Sequence, residues 1–216
     1  SRTYGEMARR VRATAELASE LGLVPRAAPV AIILDNSPEW MEIYLAHAGC
    51  GITVVPVDPK LRPPEVAYIL KDAGAAALYT DQRHLPLLEE ILPDLPDLRQ
   101  IVLADGAEGH SPAACAGRPC HALGPRLGAL AARAEAPGGF YRREVARESD
   151  IASIIYTSGT TGLPKGALLT HANFCADAEG ALRLITVIQS DDRFMIVLPL
   201  FHSFSFTANF VVPLCI

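Results

Sequence analysis

A run of glycines, hydroxyl side chains and one lysine lies near the middle of the chain, where residues 156–166 read YTSGTTGLPKG. Glycines let backbone N–H groups turn toward an anion because no Cβ stands in the way. The serine and threonine hydroxyls add neutral donors, and Lys165 adds a mobile positive charge. These residue types in this order predict a loop that binds the phosphates of a nucleotide.

This loop differs from the common phosphate loop, which reads G-x-x-x-x-G-K-[ST] and opens a helix. Here two residues separate Gly162 from Lys165, and Gly166 occupies the position of the Ser or Thr. Apolar segments at 151–156 and 167–170 favour a strand–loop–strand arrangement, in which the loop's own amides, hydroxyls and lysine hold the anion. A flexible glycine-rich linker is the alternative, and the apolar strand pattern on both sides argues against it.

The run 156–166 resembles the phosphate-loop signature of the adenylate-forming, or AMP-binding, enzymes, which include acyl-CoA synthetases, luciferases and peptide-synthetase adenylation domains. Three further segments resemble motifs of the same family in the same order. Residues 3–7 resemble T-Y-x-E-L, residues 45–59 resemble L-A-x-x-x-A-G followed by V-P-[IL]-x-P, and residues 199–203 resemble P-L-F-H. The chain is therefore similar to the N-terminal part of an acyl-CoA synthetase of the fatty-acid–CoA ligase branch.

The resemblance implies an AMP-forming acid–thiol ligase. A carboxylate attacks the α-phosphorus of ATP, pyrophosphate leaves with Mg²⁺, and a thiol of coenzyme A or of an acyl-carrier protein then displaces AMP. The protein contributes by positioning the reactants and neutralising charge. We expect Lys165 to be the catalytic charge. The residues expected to bind the nucleotide are Thr157, Ser158, Gly159, Thr160, Thr161, Gly162 and Lys165.

His202 is the expected substrate-binding residue. The resemblance implies a place beside the acyl pocket, with Phe201, Phe204 and Phe206 as candidate apolar walls, and ordinary core packing is the alternative for each of them. Peptide-synthetase domains carry an aspartate in this block, which pairs with the α-ammonium of an amino acid. An imidazole is a poor partner for an ammonium. His202 therefore favours a fatty or other hydrophobic acid over an α-amino acid.

Three alternative functions stay open. One is an amino-acid adenylation domain, and the second is an NTPase-like module that binds phosphate and hydrolyses ATP without an acid. The third is a non-catalytic domain kept for interaction. A helix directly after Gly166 would favour the NTPase-like module, because that is the architecture of the common phosphate loop.

The composition excludes some classes of protein. The 216 residues are 50% hydrophobic and carry a net charge of −5, which argues against an electrostatic nucleic-acid binder. The 5 cysteines are widely spaced and odd in number, which favours reduced thiols and a cytoplasmic location, with peripheral membrane contact as an open alternative. Prolines and polar residues interrupt the charge-free stretch 194–216, so we expect no transmembrane segment.

Four residues in one segment have side chains that could bind a metal ion. His110, Cys115, Cys120 and His121 lie close together in the sequence. Their spacing lacks the C-x₂-C pair that is typical of structural zinc sites, and the surrounding segment is rich in Ala, Gly and Pro. We therefore predict no metal site, and the roles of these four residues stay open.

Short apolar runs alternate with amphipathic segments, which predicts an α/β fold with a mostly parallel sheet and helices on both faces. Ligands of such sheets bind beyond the carboxyl ends of the strands. The predicted strands are 30–34, 52–57, 75–80, 101–104, 151–156, 167–170 and 194–198. The predicted helices include an N-terminal one closed by Gly22 and others over 38–48, 63–73, 85–92, 127–135 and 171–185.

Three parts are expected along the chain. Residues 1–104 form a first α/β subdomain, 105–149 form an Ala/Gly/Pro-rich surface excursion, and 150–216 carry the phosphate loop and the start of an acyl-pocket subdomain. Because the chain ends on an apolar run, we expect it to be the N-terminal portion of a longer enzyme and to be inactive alone.

Overall fold

A seven-stranded sheet organises the computed structural model, which describes residues 2–106, 115, 117–157, 162–184, 188–189 and 191–216. The strands are β1 (Val30–Ile32), β2 (Val54–Pro56), β3 (Ala77–Thr80), β4 (Gln100–Leu103), β5 (Cys120–Ala122), β6 (Ile151–Thr157) and β7 (Lys165–Thr170). Their order across the sheet is β5-β4-β3-β1-β2-β6-β7. Neighbouring strands run parallel from β5 to β6, and β7 pairs antiparallel with β6.

Helices connect most of the parallel strands and begin where the sequence supplies caps. The N–H of Glu6 donates to the Thr3 hydroxyl, and the N–H of Trp40 donates to the Ser37 hydroxyl. Gly74 ends the third helix in the left-handed conformation, at φ +65°. The longer helices are α1 (Tyr4–Glu20), α2 (Pro38–Gly49), α3 (Pro63–Ala73), α4 (Leu85–Ile91), α5 (Leu123–Glu135) and α7 (His171–Leu184), with a short α6 (Phe140–Arg143).

Apolar layers cover both faces of the sheet. Helices α1, α2 and α5 pack on one face through residues such as Leu17, Trp40 and Leu127. Helices α3 and α4 pack on the other through residues such as Ile69 and Leu88. The predicted α/β fold with a mostly parallel, doubly covered sheet is therefore confirmed, and the sheet presents its strand ends as the place for a site.

The described part of the segment 105–149 packs on the sheet and on α1. Strand β5 pairs with β4 at the edge of the sheet, and α5 packs against α1. Leu123, Leu127 and Leu130 are buried and follow helical spacing, so the predicted helix over 127–135 is confirmed and begins four residues earlier, at Leu123. The division of the chain at residues 104 and 150 stays a prediction.

The predicted strand over 194–198 is wrong. The segment has extended or irregular backbone, and no strand in the described ranges pairs with it. Met195 and Val197 are 80% and 73% exposed, so these apolar side chains lack the packed face that a buried strand requires. The chain then forms three short helical segments, α8 (Ser203–Phe206), a π-helical turn (Thr207–Val211) and Val212–Leu214. Among the described residues, no helix has the length and apolar character needed to cross a membrane.

Candidate functional site

Strands β6 and β7 hold the two ends of the glycine-rich loop opposite each other. Thr157, the last residue of β6, pairs in register with Lys165, the first residue of β7. This arrangement confirms the predicted strand–loop–strand order. Residues Ser158, Gly159, Thr160 and Thr161 lie outside the described part of the chain.

Two glycines meet steric demands at this hairpin. Gly162 has a φ of +103°, in the region that L side chains rarely adopt. A Cβ on Gly166 would lie 2.7 Å from Ile154 Cγ2 and 3.0 Å from Tyr156 Cζ. The side chains of Ile154 and Tyr156 thus fill the space that a side chain at position 166 would need. This explains why a glycine occupies the position at which the common phosphate loop has a Ser or Thr.

A cavity of about 360 Å³ lies beyond the carboxyl ends of β2 and β6. It brings together Thr157 and Pro164, which flank the loop, and His202, which comes from a distant part of the chain. The other lining residues are Pro56, Val57, Asp58, Leu61, Glu65, Ile69, Ile155, Tyr156, Phe201 and Ser203. Of the described residues predicted to bind the nucleotide, Thr157 lines this cavity together with His202, the predicted substrate-binding residue, at the sheet edge where parallel α/β folds bind ligands.

The two carboxylates in this cavity are engaged with backbone amides. Glu65 Oε2 accepts from the N–H of Arg62 at 3.0 Å, and this hydrogen bond is the main reason that the pKa of Glu65 is lowered. Asp58 Oδ1 accepts from the N–H of Lys60 at 2.9 Å. Lys165 is exposed at the mouth of the hairpin, and the described residues include no acidic partner for it. A positive charge is thus available near the loop, where an anion would need it.

A side-chain clamp sets the position of the His202 segment. The Asn36 amide donates to the Leu198 carbonyl at 2.9 Å, and the N–H of Leu200 donates to Asn36 Oδ1 at 2.8 Å. The Ser205 hydroxyl donates to the same Leu198 carbonyl at 2.8 Å. His202 follows directly, as the exposed residue before α8. Nothing in the local sequence pattern indicated this role of Asn36.

The three phenylalanines near His202 have separate roles. Phe201 lines the cavity with His202. Phe204 is 64% exposed and lines a larger, mainly apolar groove of about 730 Å³ between α7 and the 203–212 segment. Phe206 is buried against Trp40 and Tyr44, with its ring centroid 4.5 Å from that of Tyr44, so core packing is its role.

A second missed contact lies at the base of the loop. The Tyr156 hydroxyl donates to Asp72 Oδ2, near the end of α3, at 2.6 Å. Burial, reinforced by the Asp72 carboxylate, raises the pKa of Tyr156 above its usual range, so this hydroxyl keeps its proton. Tyr156 was predicted only as part of the loop motif, and nothing in the local pattern pointed to Asp72.

Within the described ranges, no group of three or more His, Cys, Asp or Glu side chains is arranged to hold a metal ion. Cys115 is buried and Cys120 is half-buried. One ring nitrogen of His121 lies 3.0 Å from Gln100 Oε1, and burial lowers the pKa of His121. His110 lies outside the described residues, so the structure leaves its role open.

Comparison with known proteins supports the motif assignment. A family model described as AMP-binding enzyme matches residues 1–216. The 3-methylmercaptopropionyl-CoA ligase of Ruegeria pomeroyi is 31% identical over 211 residues, covering 92% of this chain and 35% of that protein. The peroxisomal long chain acyl-CoA synthetase 7 of Arabidopsis thaliana is 30% identical over 173 residues, covering 80% of this chain and 24% of that protein.

Solved structures share the fold. The anthranilate CoA ligase AuaEII, solved in complex with anthranoyl-AMP, superimposes with a TM-score of 0.76 at 26% identity, over 98% of this chain and 38% of that one. A fatty acyl CoA synthetase from Mycobacterium tuberculosis gives 0.74 at 26% identity, over 98% and 37%. The chain thus spans 24–38% of the length of these four proteins. Since the family match runs over the whole sequence, and the fold and the loop motif agree with it, the chain belongs to the AMP-binding enzyme family.

Proposed function

We propose that the chain is the part of an AMP-forming acid–thiol ligase that binds the phosphates of the nucleotide. The enzyme activates a fatty or other hydrophobic carboxylic acid with ATP, and then transfers the acyl group from the adenylate to coenzyme A or to a carrier-protein thiol. The observation that carries this proposal is the shared cavity, in which the loop flanks Thr157 and Pro164 face His202.

Nucleotidyl transfer requires that the protein position the reactants and neutralise the negative charge of the phosphates. Thr157, Gly162 and Lys165 flank the loop, and we assign them with Ser158, Gly159, Thr160 and Thr161 to the β- and γ-phosphates. Lys165 is exposed and directly follows Pro164, which lines the cavity, and this position supports a role for its ammonium in neutralising the pyrophosphate that leaves. Magnesium is expected to enter as the counter-ion of ATP, and we assign no residue of this chain to it.

His202 is the proposed substrate-binding residue. It is exposed and lines the cavity beside Phe201. Because a histidine stands where peptide-synthetase domains carry an aspartate, the site supports an acid without an α-ammonium. The neighbouring groove of about 730 Å³ offers mainly apolar lining, which fits a hydrophobic acid. The names of the relatives, which include long chain acyl-CoA synthetases, support the same substrate class.

The structure weakens one alternative. An NTPase-like module would carry a helix after Gly166, whereas Gly166 lies inside β7. An amino-acid adenylation domain stays possible, and it would require another residue to pair with the ammonium. A cytoplasmic location and any peripheral membrane contact stay predictions from composition.

Exchange of radiolabelled pyrophosphate into ATP by the complete protein tests the proposal, with a panel of fatty, aromatic and amino acids. We expect acid-dependent exchange that is strongest with hydrophobic acids, followed by thioester formation when coenzyme A is added. Exchange restricted to amino acids would favour the adenylation-domain alternative. Phosphate release that does not depend on any acid would contradict the ligase function.

A further inference from the structure

The contact between Tyr156 and Asp72 joins elements that are distant in sequence. Tyr156 is the penultimate residue of β6 and directly precedes Thr157, where the loop begins. Its hydroxyl reaches across to Asp72 Oδ2, on α3, at 2.6 Å. The same tyrosine lines the cavity that contains Pro164 and His202. One side chain therefore connects the base of the loop, the cavity wall and a helix.

Asp72 occupies a position that a helix by itself disfavours. It is the penultimate residue of α3, which ends at Ala73, and the negative end of the helix dipole lies there. A carboxylate at this end is repelled by the free carbonyl groups, and basic residues are the favoured ones. The Tyr156 hydroxyl gives Asp72 a hydrogen-bond donor, which offsets that repulsion.

The absence of a side chain at Gly166 leaves room for the Tyr156 ring. A Cβ at Gly166 would lie 3.0 Å from Tyr156 Cζ and 3.3 Å from Tyr156 Cε1. These contacts are tighter than normal packing, so a larger residue would push the ring away from β7. Tyr156, Gly166 and Asp72 thus form one contact that ties β6, β7 and α3 together where the loop leaves the sheet.

We propose that Tyr156 is a positioning residue for the phosphate loop, held in place by Asp72 and by the absence of a side chain at Gly166. The inference deepens the proposed function and rests on it, because the loop is taken to bind ATP. A loop whose base is fixed loses less conformational freedom when the nucleotide binds, so its affinity is higher. Loss of the contact should therefore weaken ATP binding more than it slows the chemical step.

The test compares Tyr156→Phe, Asp72→Ala and Asp72→Asn in the complete protein, by ATP–pyrophosphate exchange at saturating acid. For Tyr156→Phe and Asp72→Ala we expect the KM for ATP to rise about fivefold and kcat to change by less than about twofold. Asp72→Asn keeps an oxygen that can accept the hydrogen bond, so it should recover most of the wild-type KM. Tyr4→Phe removes the hydroxyl of an exposed tyrosine at the start of α1 and serves as the matched control.

A second readout separates this inference from the proposed function. Amide hydrogen exchange of peptides that cover residues 157–170 should be faster in Tyr156→Phe than in the wild type, while peptides from β1 and β3 stay unchanged. If the wild type shows no pyrophosphate exchange, the proposed function fails, and the hydrogen-exchange result still decides the positioning role. An unchanged KM and unchanged hairpin exchange in Tyr156→Phe would overturn it, as would an Asp72→Asn variant as impaired as Asp72→Ala.

Discussion

Asn36 and Leu200 are joined by a hydrogen bond of 2.8 Å from the Leu200 N–H to the side-chain oxygen of Asn36. The nitrogen of the same side chain donates to the Leu198 carbonyl at 2.9 Å. Asn36 lies in the loop after β1, whereas residues 198–200 lead directly to His202. One asparagine therefore satisfies two backbone groups and fixes the segment that carries the proposed substrate-binding residue.

Replacing Asn36 tests this clamp. Asn36→Ala should lower the free energy of unfolding by about 1–2 kcal/mol, because the buried Leu200 backbone loses its acceptor and the Leu198 carbonyl loses one donor. Asn36→Asp keeps the acceptor and loses the donor, so its effect should be intermediate. Urea unfolding measures both variants. Equal losses for Asp and Ala would show that the Leu200 hydrogen bond contributes little.

Lys165 provides a test of the proposed chemistry. Lys165→Ala in the complete protein should slow adenylate formation by about 10²-fold and leave thioester formation from a supplied acyl adenylate much less affected. The reason is that pyrophosphate departs in the first half-reaction and is absent from the second. Single-turnover rates of the two half-reactions measure the difference, with Lys71→Ala as a control for loss of an exposed lysine. Equal slowing of both half-reactions would contradict the assigned role.

A buried carboxylate connects α1 to α2. The Glu42 side chain is 0% exposed and accepts from Arg2 Nη1 at 2.6 Å and Arg10 Nε at 2.8 Å. Glu42→Gln should lower the free energy of unfolding by about 2–3 kcal/mol, because Arg2 and Arg10 lose their buried carboxylate partner and keep only the more exposed Glu39. Glu39, on the same helix, also pairs with Arg2 and is more exposed, so Glu39→Gln should cost less than about 1 kcal/mol. Chemical denaturation that ranked the two variants in the opposite order would refute this assignment.

His47 should make stability depend on pH. It is fully buried, and burial lowers its pKa from 6.5 to about 4. Above pH 6.5 the imidazole is neutral in both the folded and the unfolded state. As the pH falls from 6.5 toward 4, His47 takes up a proton in the unfolded state but not in the folded state. The free energy of unfolding therefore decreases, by roughly 2–3 kcal/mol at about pH 4.5.

His47→Gln isolates that effect because glutamine does not titrate. The difference in unfolding free energy between wild type and variant should shrink as the pH falls from about 7.5 to about 4.5. Carboxylates and the other histidines are common to both proteins, so their titrations cancel in the difference. A difference that stays constant over this range would mean that His47 does not titrate as expected.

Local sequence patterns were sufficient for most elements. The helix predicted over 38–48 matches α2, which Ser37 caps and Pro38 begins, and the apolar runs predicted β1 to β4 within two residues at each end. These features depend on near neighbours in the chain, such as caps, prolines and hydrophobic spacing. The same reasoning failed at 194–198, a continuous apolar run with which no strand in the described part of the chain pairs.

Contacts between distant residues were beyond such reasoning. Asn36 and Leu200 are 164 positions apart, and Tyr156 and Asp72 are 84 apart. A side chain that accepts a hydrogen bond looks the same in a sequence whether its partner is water or a remote backbone group. Only the folded structure determines which partner is present.

The sequence by itself determined the class of the protein: a glycine-rich hairpin loop with one lysine, set between apolar strands, in the order of motifs typical of AMP-binding enzymes. The tertiary structure decided that Thr157 and His202 line the same cavity, that Tyr156 is hydrogen-bonded to Asp72, and that Asn36 is hydrogen-bonded to residues 198 and 200. The physical reason is that loop chemistry follows from adjacent residues, whereas a cavity arises where strand ends and distant segments meet in the packed fold.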